Sequence, residues 1–405
     1  MSECKNGLQL VFDRFTGSNV VHIAVTIGAG TRHEPAGKAG LAHFTEHSVF
    51  KGTKKFKSKQ ILNYLESSGG ELNAFTTKEE TCYYASVHSE QAEKAFYLLS
   101  QLVFYPVFPG SEINREKSVV LEEIESYKDS PAEIIFDEFE ELIFKKHPLS
   151  VPILGSAFSV SSFRKKDLSA FTSQNYIPGK MSLSVSGNLS FSFVKHMVKK
   201  YFSPGKSTAS AATEHVVLNS GKPFFKVKKP DTHQSHVLLG GISYSYASEK
   251  RTALSLLNNI FGGHAMNSRL NVELREKRGW AYIIESNYTP YSDTGFFSVY
   301  FGTERKNVEK CITLIKKEMK KLAKDKLTPS QLFTAKQQIK GQIAMAEENR
   351  LSKTLGAGKS ILALGKVVTA KEIYKKIDRL KSTELCDVAN EIMNPEKLNC
   401  LIYKS

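Results

Sequence analysis

The order of strand and helix signals occurs twice along the chain, and this repeat constrains the fold more than any other feature. In the first half, a β-branched strand at residues 20–27 precedes a helical stretch at 37–50. In the second half, a strand at 237–242 precedes a helix that opens at 252–261. Between the halves, residues 203–221 are rich in Ser, Ala, Gly and Pro, which is typical of a linker. The pattern predicts an internal duplication.

Helix and strand signals then alternate in both halves, with long helices predicted at residues 111–127 and 330–348. We therefore predict an α+β fold with two homologous domains, each a sheet covered by helices. The predicted boundaries are residues 1–202 for the first domain, 203–221 for the linker and 222–405 for the second domain.

The chain has a net charge of +15, and lysine clusters in both halves carry most of it. One interpretation is a surface for nucleic acid or for an acidic membrane. Because the lysines are spread over both halves and are not interleaved with aromatic residues, we favour solvated helix faces. We therefore predict no nucleic-acid partner and no membrane partner.

The chain shows no signal for export or membrane insertion. No apolar run approaches the roughly 18 residues that a membrane helix needs, and the N-terminus has no basic-then-apolar signal pattern. The five cysteines are scattered, without the spacing of a zinc ribbon or a redox motif, which indicates reduced thiols. Because the sequence shows no presequence, we expect a bacterial cytoplasm as its location and not a mitochondrial matrix.

The stretch at residues 40–50 places His43 and His47 four residues apart on a predicted helix. Side chains at this spacing lie on one face, so the two imidazoles can bind one zinc ion. Glu46 lies about 60° to the side of His43 on the helical wheel, where it can reach a water on the metal without being a ligand. The spacing is the H-x-x-E-H form of a zinc peptidase motif.

The alternative is that this spacing arose by chance. The neighbours Leu41, Phe44 and Val49 are apolar, which indicates a buried helix. Buried imidazoles beside a carboxylate need partners, and a metal ion supplies them. We therefore favour the metal site.

The predicted helix at residues 111–127 offers the third ligand that a catalytic zinc needs. With Val120 at the centre of its apolar face, Glu123 falls about 60° and Glu116 about 40° from that centre. Glu122 falls about 160° away and points to solvent. An inward carboxylate is costly unless it is paired or bound to metal. We assign Glu123 as the ligand and Glu116 as a carboxylate that orients a histidine.

On these motifs the chain resembles the pitrilysin and insulin-degrading enzyme clan of inverzincin metallopeptidases. It is most similar to the short branch that includes the mitochondrial processing peptidase β subunit and its bacterial relatives, over essentially the whole chain. The shared patterns lie at residues 43–47, 50–53 and 119–123. The spacing in the clan also places the metal glutamate on Glu123 and a further carboxylate on Glu116.

The resemblance implies roles for two more groups of residues. Asn73, Ala74 and Phe75 would lie on an edge strand that pairs with an extended peptide, and the alternative is an ordinary edge strand. Arg275 and Tyr282 of the second domain would reach the zinc site and stabilise the substrate oxyanion. The alternative for this pair is a basic helix end followed by a strand tyrosine.

Glu133 and Asp137 lie four residues apart on a predicted helix. The resemblance places them where the processing peptidase β subunit binds a substrate arginine, so they could form a pocket for a basic side chain. Three further glutamates follow closely, and a solvated acidic face is the interpretation that we favour.

The resemblance implies a zinc metalloendopeptidase that cleaves unstructured peptides inside a chamber enclosed by a homodimer. In this interpretation, Zn²⁺ activates water and polarises the scissile carbonyl, Glu46 is the general base, and Arg275 and Tyr282 stabilise the oxyanion. The alternative is a catalytically silent relative that serves as a scaffold or binding subunit. Such relatives usually lack the zinc motif, which is intact here.

Overall fold

The computed structural model describes residues 2–204 and 222–405. Most of the predicted linker, residues 205–221, lies outside the described residues. None of the described helices combines the length and the apolar character that crossing a membrane requires.

The described residues form two compact units. Unit 1 comprises the described residues within Met1–Ser126, Val151–Glu214 and Ala346–Val367, and unit 2 those within Tyr127–Ser150, His215–Met345 and Val368–Ser405. Each unit contains one main sheet and several helices, so the predicted α+β fold with two homologous domains is confirmed. The predicted domain boundaries stay a prediction, and each compact unit also contains a segment from the other half of the chain.

Unit 1 is built on a six-stranded sheet. Its strands are β1 (Ser2–Glu3), β2 (Gln9–Arg14), β3 (Val20–Ile27), β4 (Glu71–Thr76), β5 (Thr81–His88) and β6 (Met181–Gly187). The spatial order is β1-β2-β6-β3-β5-β4, in which β2 and β6 are parallel and the other neighbours antiparallel. In β6, Met181, Leu183 and Val185 join the apolar core, and the serines between them face the other side because side chains alternate along a strand.

The helices of the first half are α1 (Leu41–Val49), α2 (Ser58–Glu66), α3 (Ala92–Phe104), α4 (Gly110–Lys128), α5 (Pro131–Ile143), α6 (Ala157–Ser162), α7 (Lys165–Asn175) and α8 (Phe191–Tyr201). All of them except α5 contribute buried apolar side chains to the core of unit 1. This core holds α1 and α4 on one face of the sheet.

Unit 2 repeats the topology of unit 1. Its strands are β7 (Phe225–Lys228), β8 (Ser235–Ser243), β9 (Ala281–Pro290), β10 (Gly295–Thr303) and β11 (Asn399–Tyr403). The order β7-β11-β8-β10-β9, with β7 and β11 parallel, matches the order β2-β6-β3-β5-β4 of unit 1. The helices of this half are α9 (Arg251–Gly262), α10 (Val308–Lys324), α11 (Pro329–Glu348), α12 (Arg350–Leu364), α13 (Ala370–Arg379) and α14 (Ser382–Ile392).

Two helices at equivalent places in the repeat are exchanged. Helix α5 follows α3 and α4, as α12 follows α10 and α11, yet α5 belongs to unit 2 and α12 to unit 1. Ile135 and Phe139 of α5 share an apolar cluster with Phe296 on one face of the unit 2 sheet. Helix α12 packs against β2, β3 and β6, on the face of the unit 1 sheet opposite its apolar core.

Helix α12 approaches this sheet closely because Gly358 has no side chain. Ser182 Oγ donates a hydrogen bond to the Gly358 carbonyl oxygen, at 3.0 Å. A Cβ at Gly358 would lie 2.8 Å from Thr26 Oγ1 and 3.0 Å from Ser184 Oγ. At this point the interface of α12 is therefore formed by a glycine and short hydroxyl side chains.

Gly358→Ala is expected to lower stability, whereas Gly356→Ala on the same helix is expected to raise it. Overpacking at Gly358 costs about 1–3 kcal/mol, and the gain of about 1 kcal/mol in helix propensity offsets this cost only in part. Gly356 is exposed and has no neighbouring atom within 4 Å of a built Cβ, so alanine there gains about 1 kcal/mol of helix propensity. Urea unfolding of both variants measures the difference, and midpoints that shift in the same direction would contradict the packing argument.

His33 lies in a 3₁₀ turn ahead of α1, where burial favours its neutral form. Its Nδ1 accepts a hydrogen bond from the backbone N–H of Gly30, at 3.2 Å. Burial lowers the pKa of His33 to about 4, Glu79 opposes this shift, and Arg32 and Lys180 add to it. Protonation of Nδ1 would remove the acceptor and bury a charge.

Acid is expected to destabilise the wild type more than a His33→Asn variant between pH 6.5 and about 4. Because the pKa of folded His33 lies below its unfolded value, the unfolded chain binds a proton that the folded chain does not. The stability from neutral His33 is therefore present above pH 6.5 and is lost as the pH falls towards 4. Unfolding midpoints measured across this range test the prediction, and parallel curves for the two proteins would refute it.

Candidate metal centre

Two contacts fix the start of α1. Gly40 has a φ of +85°, and a Cβ there would lie 2.5 Å from the carbonyl oxygen of Leu154, so the position requires glycine. The Glu34 carboxylate accepts hydrogen bonds from the backbone N–H of Gly40 at 2.9 Å and of Ala42 at 2.7 Å. These bonds satisfy donors that a helix N-terminus leaves without partners. They also set the direction of the helix that carries both histidines.

His43 and His47 lie one helical turn apart, with ring centroids separated by 4.5 Å. Their side chains are 10% and 25% exposed. Burial, with the neighbouring His47, lowers the pKa of His43 to about 3, so its imidazole is neutral, which is the form that binds metal. Burial also disfavours the charged form of His47, but the hydrogen bond to Glu116 and the charges of Glu46 and Glu123 outweigh burial and raise its pKa.

Glu123 of α4 completes a cluster with the two histidines. Its Oε1 lies 3.7 Å from His43 Nε2, and its Oε2 lies 3.7 Å from His47 Nε2. The three ligand atoms lie within 4.8 Å of one another, and the ligands of a tetrahedral zinc are about 3.4 Å apart. Within the described part of the chain, neither Nε2 atom has a hydrogen-bond partner. Two imidazole nitrogens and a carboxylate form a donor set that fits a zinc ion. The neighbouring Glu122 is exposed and is not part of the cluster.

Glu46 lies on the same helix as the histidines and is 8% exposed. Thr76 Oγ1 donates a hydrogen bond to Glu46 Oε2, at 2.6 Å. Burial raises the pKa of Glu46, and the bond from Thr76 opposes this shift. The other carboxylate oxygen, Oε1, accepts no hydrogen bond from the described residues. Thr76 therefore engages only one of the two carboxylate oxygens.

Glu116 of α4 is buried and bridges His47 and Lys51. Its Oε1 accepts a hydrogen bond from His47 Nδ1 at 2.9 Å, and its Oε2 pairs with Lys51 Nζ at 2.7 Å. Burial alone would raise the pKa of Glu116, but these two partners outweigh burial and lower it. An Nδ1 that donates to Glu116 leaves the Nε2 lone pair of His47 directed at Glu123.

Strand β4 stands at the end of the unit 1 sheet, as far as the described strands show. Asn73 Oδ1 accepts a hydrogen bond from the backbone N–H of Ala74, at 2.8 Å. The ring of Phe75 packs against Tyr84, with centroids 6.3 Å apart. An edge N–H that is bound only to a neighbouring side chain can be taken over by an extended peptide. Substrate binding by these residues stays a prediction.

Arg275 and Tyr282 lie together in unit 2. Arg275 is in a π-helical turn at Asn271–Glu276, and Tyr282 is near the start of β9. The guanidinium carbon of Arg275 lies 4.7 Å from the centre of the Tyr282 ring, and Tyr282 is 77% exposed. A π-helical turn is rare and is frequent at functional sites. Their catalytic role stays a prediction.

Glu133 and Asp137 lie on α5, also in unit 2. Asp137 is hydrogen-bonded to Tyr127. Burial of Tyr127 raises its pKa, and the negative charge of Asp137 raises it further. The next residue, Glu138, pairs with Lys228 at 2.7 Å. A pocket for a basic side chain at these residues stays a prediction.

Two residues that the structure places at this centre, Thr76 and Lys51, had no individual role predicted from the sequence. Thr76 lies two residues after Ala74, and period-two spacing along a strand would have put both side chains on one face. Lys51 lies four residues after His47, a spacing that would make two side chains neighbours on a helix, but α1 ends at Val49. These spacings were the only signals in the sequence for the two residues. Neither spacing predicts that Thr76 contacts Glu46 or that Lys51 contacts Glu116.

Comparisons with protein families give two adjacent matches. Residues 11–157 match the family described as Insulinase (Peptidase family M16). Residues 162–339 match the family described as Peptidase M16 inactive domain. The first match contains His43, His47 and Glu123, and the second contains Arg275 and Tyr282.

Similar proteins cover almost the whole chain. A Bacillus subtilis protein named "Uncharacterized zinc protease YmxG" is 34% identical over 405 residues, which is 99% of this chain and 97% of that protein. An "Uncharacterized zinc protease" of Rickettsia bellii is 32% identical over 406 residues, with the same coverage of 99% and 97%. The crystal structure of a Helicobacter pylori protease superposes with a TM-score of 0.91 at 24% identity and covers 100% of this chain and 98% of that chain. This structural match shows the shared fold.

Proposed function

Because the chain belongs to the insulinase family of peptidases, family M16, we propose that it is a zinc metalloendopeptidase that cleaves unstructured peptides. The observation that carries this proposal is the cluster of His43, His47 and Glu123, with the buried Glu46 on the same helix. The two relatives named as zinc proteases support the choice of metal.

The mechanism assigns a task to each residue of the centre. His43 Nε2, His47 Nε2 and the Glu123 carboxylate would hold the ion. When bound, zinc supplies a Lewis acid that polarises a peptide carbonyl and acidifies water. Glu46 Oε1 takes a proton from the attacking water while the oxygen of that water adds to the carbonyl carbon. Glu46 then passes this proton to the leaving amine nitrogen as the C–N bond breaks.

The proposal extends to substrate binding. An extended peptide would pair with β4, and the backbone N–H of Ala74 is the donor that Asn73 now occupies. Arg275 and Tyr282 would stabilise the oxyanion, and their mutual contact at 4.7 Å supports a shared role. A chamber enclosed by a homodimer would admit unfolded chains and exclude folded proteins. The support for this chamber is the resemblance given above.

The test is metal analysis together with cleavage of a quenched, unstructured peptide. We expect about one zinc per chain, cleavage of the peptide, and no cleavage of a stably folded protein at the same concentration. Zinc binding without cleavage of any peptide in a broad library would indicate a silent scaffold. A purified chain that binds no zinc would refute the proposal.

Glu116→Gln is expected to weaken zinc binding about 10- to 100-fold, because loss of a partner behind a metal ligand typically has this effect. The amide keeps the size of the side chain but removes the charge that holds His47 and Lys51. Competition with a zinc chelator measures the affinity. Glu122→Gln, an exposed change on the same helix, is the matched control. Equal affinities for the two variants would contradict the assigned role of Glu116.

A further inference from the structure

The hydrogen bond between Thr76 and Glu46 joins two elements of unit 1. Thr76 is the last residue of β4, and Glu46 lies on α1. The distance of 2.6 Å between Thr76 Oγ1 and Glu46 Oε2 is typical of a hydroxyl that donates to an ionised carboxylate. Among the described residues, no other group donates to the Glu46 carboxylate. One strand residue therefore determines how this carboxylate is oriented.

The bond matters because a glutamate carboxylate has little rotational preference of its own. The terminal torsion of glutamate is broad and roughly two-fold, so an unrestrained carboxylate samples many orientations. Thr76 holds Oε2, and this leaves Oε1 as the oxygen without a donor. Threonine is well suited to this task, since its branched Cβ restricts the side chain to few rotamers.

The same strand is the one proposed to pair with substrate. Side chains alternate along β4, so Ala74 and Thr76 share the face towards α1, and Phe75 lies on the other face against Tyr84. The backbone N–H of Ala74 is bound by the Asn73 side chain, two residues before Thr76. A peptide that replaced this side chain would be bound by the strand that orients Glu46.

From these contacts we infer that Thr76 is a positioning residue for the general base. It holds Glu46 Oε2 so that Oε1 faces the reacting water, and it connects the orientation of the base to the substrate-binding strand. This inference rests on the proposed function. Since Thr76 acts through Glu46, its loss slows the chemical step and leaves the affinity for substrate and zinc unchanged.

The test compares Thr76→Val, which removes the hydroxyl at nearly constant shape, with Thr76→Ser, which keeps it. A misplaced catalytic group costs on the order of 10²-fold in rate, so we expect Thr76→Val to lower kcat about 10- to 100-fold. KM and the zinc content are expected to stay at the wild-type values. Thr76→Ser is expected to restore kcat to within about threefold of wild type. If Thr76→Val does not fold, Thr76→Ala replaces it and is compared with Thr76→Ser in the same way.

Glu46→Gln measured in parallel separates this inference from the proposed function. Wild-type kcat in Thr76→Val, with Glu46→Gln inactive, would overturn the inference and leave the proposed base in place. Wild-type turnover in Glu46→Gln would overturn both. If kcat falls in Thr76→Val and is equally low in Thr76→Ser, the packing of the side chain and not its hydroxyl is what matters. That outcome would also overturn the inference.

Discussion

Glu46→Gln is expected to lower kcat about 10²- to 10⁴-fold, the typical contribution of a general base, while the zinc content stays unchanged. The amide has the size of the carboxylate, and its oxygen can still accept the hydrogen bond from Thr76. It cannot take a proton from water. Peptide cleavage under saturating substrate, together with metal analysis of the same preparation, measures both quantities.

The matched control for this variant is Glu122→Gln, an isosteric change at an exposed position outside the cluster. It is expected to keep both zinc and kcat. Turnover of Glu46→Gln at the rate of this control would show that another group takes the proton. Loss of zinc from Glu46→Gln would instead make Glu46 a ligand.

Glu123→Gln is expected to lose zinc and activity together. Glu123 supplies the only carboxylate of the cluster among the described residues, and its two oxygens face the two imidazoles at 3.7 Å. A neutral amide is a much poorer ligand for a divalent cation. Loss of a direct ligand should therefore exceed the roughly 10- to 100-fold loss of affinity that an outer partner causes.

The measurement is the ratio of zinc to protein after dialysis, followed by peptide cleavage with and without added zinc. Glu122→Gln again serves as the control, because the two positions are adjacent on α4 and differ in the direction of the side chain. Retention of zinc by Glu123→Gln, with loss from Glu122→Gln, would reverse the assignment of the third ligand. Partial recovery of activity at high zinc concentration would support the present assignment.

Local periodicity was enough to predict several elements of both units. The strand predicted at 237–242 is part of β8, and the helices predicted at 111–127 and 330–348 agree with α4 and α11 to within one residue at each end. The helical wheel also predicted that Glu116 would be buried and that Glu122 would be exposed. These features depend on the pattern of a single element, which the sequence displays directly.

The rest depends on contacts between residues far apart in the chain. The bond from Thr76 to Glu46 spans 30 residues, and the bond from His47 to Glu116 spans 69. The exchange of α5 and α12 is a further example, because an amphipathic helix does not specify which sheet covers its buried face. Only the folded arrangement shows that α5 belongs with the second sheet.

The exchange of α5 and α12 also bears on the order in which the chain emerges from the ribosome. The first sheet is complete at Gly187, but the helix that covers one of its faces begins only at Arg350. At ordinary rates of synthesis this face waits roughly 10 to 30 s for its helix. The residues left uncovered include Thr26, Ser182 and Ser184, whose hydroxyls water can solvate.

The second sheet does not have this delay. Its equivalent face is apolar, and α5, which covers it, is synthesised before any strand of that sheet. Helix α12, which is synthesised late, thus covers a face that carries hydroxyl groups. Helix α5, which is synthesised early, covers the apolar face. When the apolar face of the second sheet forms on the nascent chain, the helix that covers it has already been made. This order lowers the risk of aggregation during synthesis.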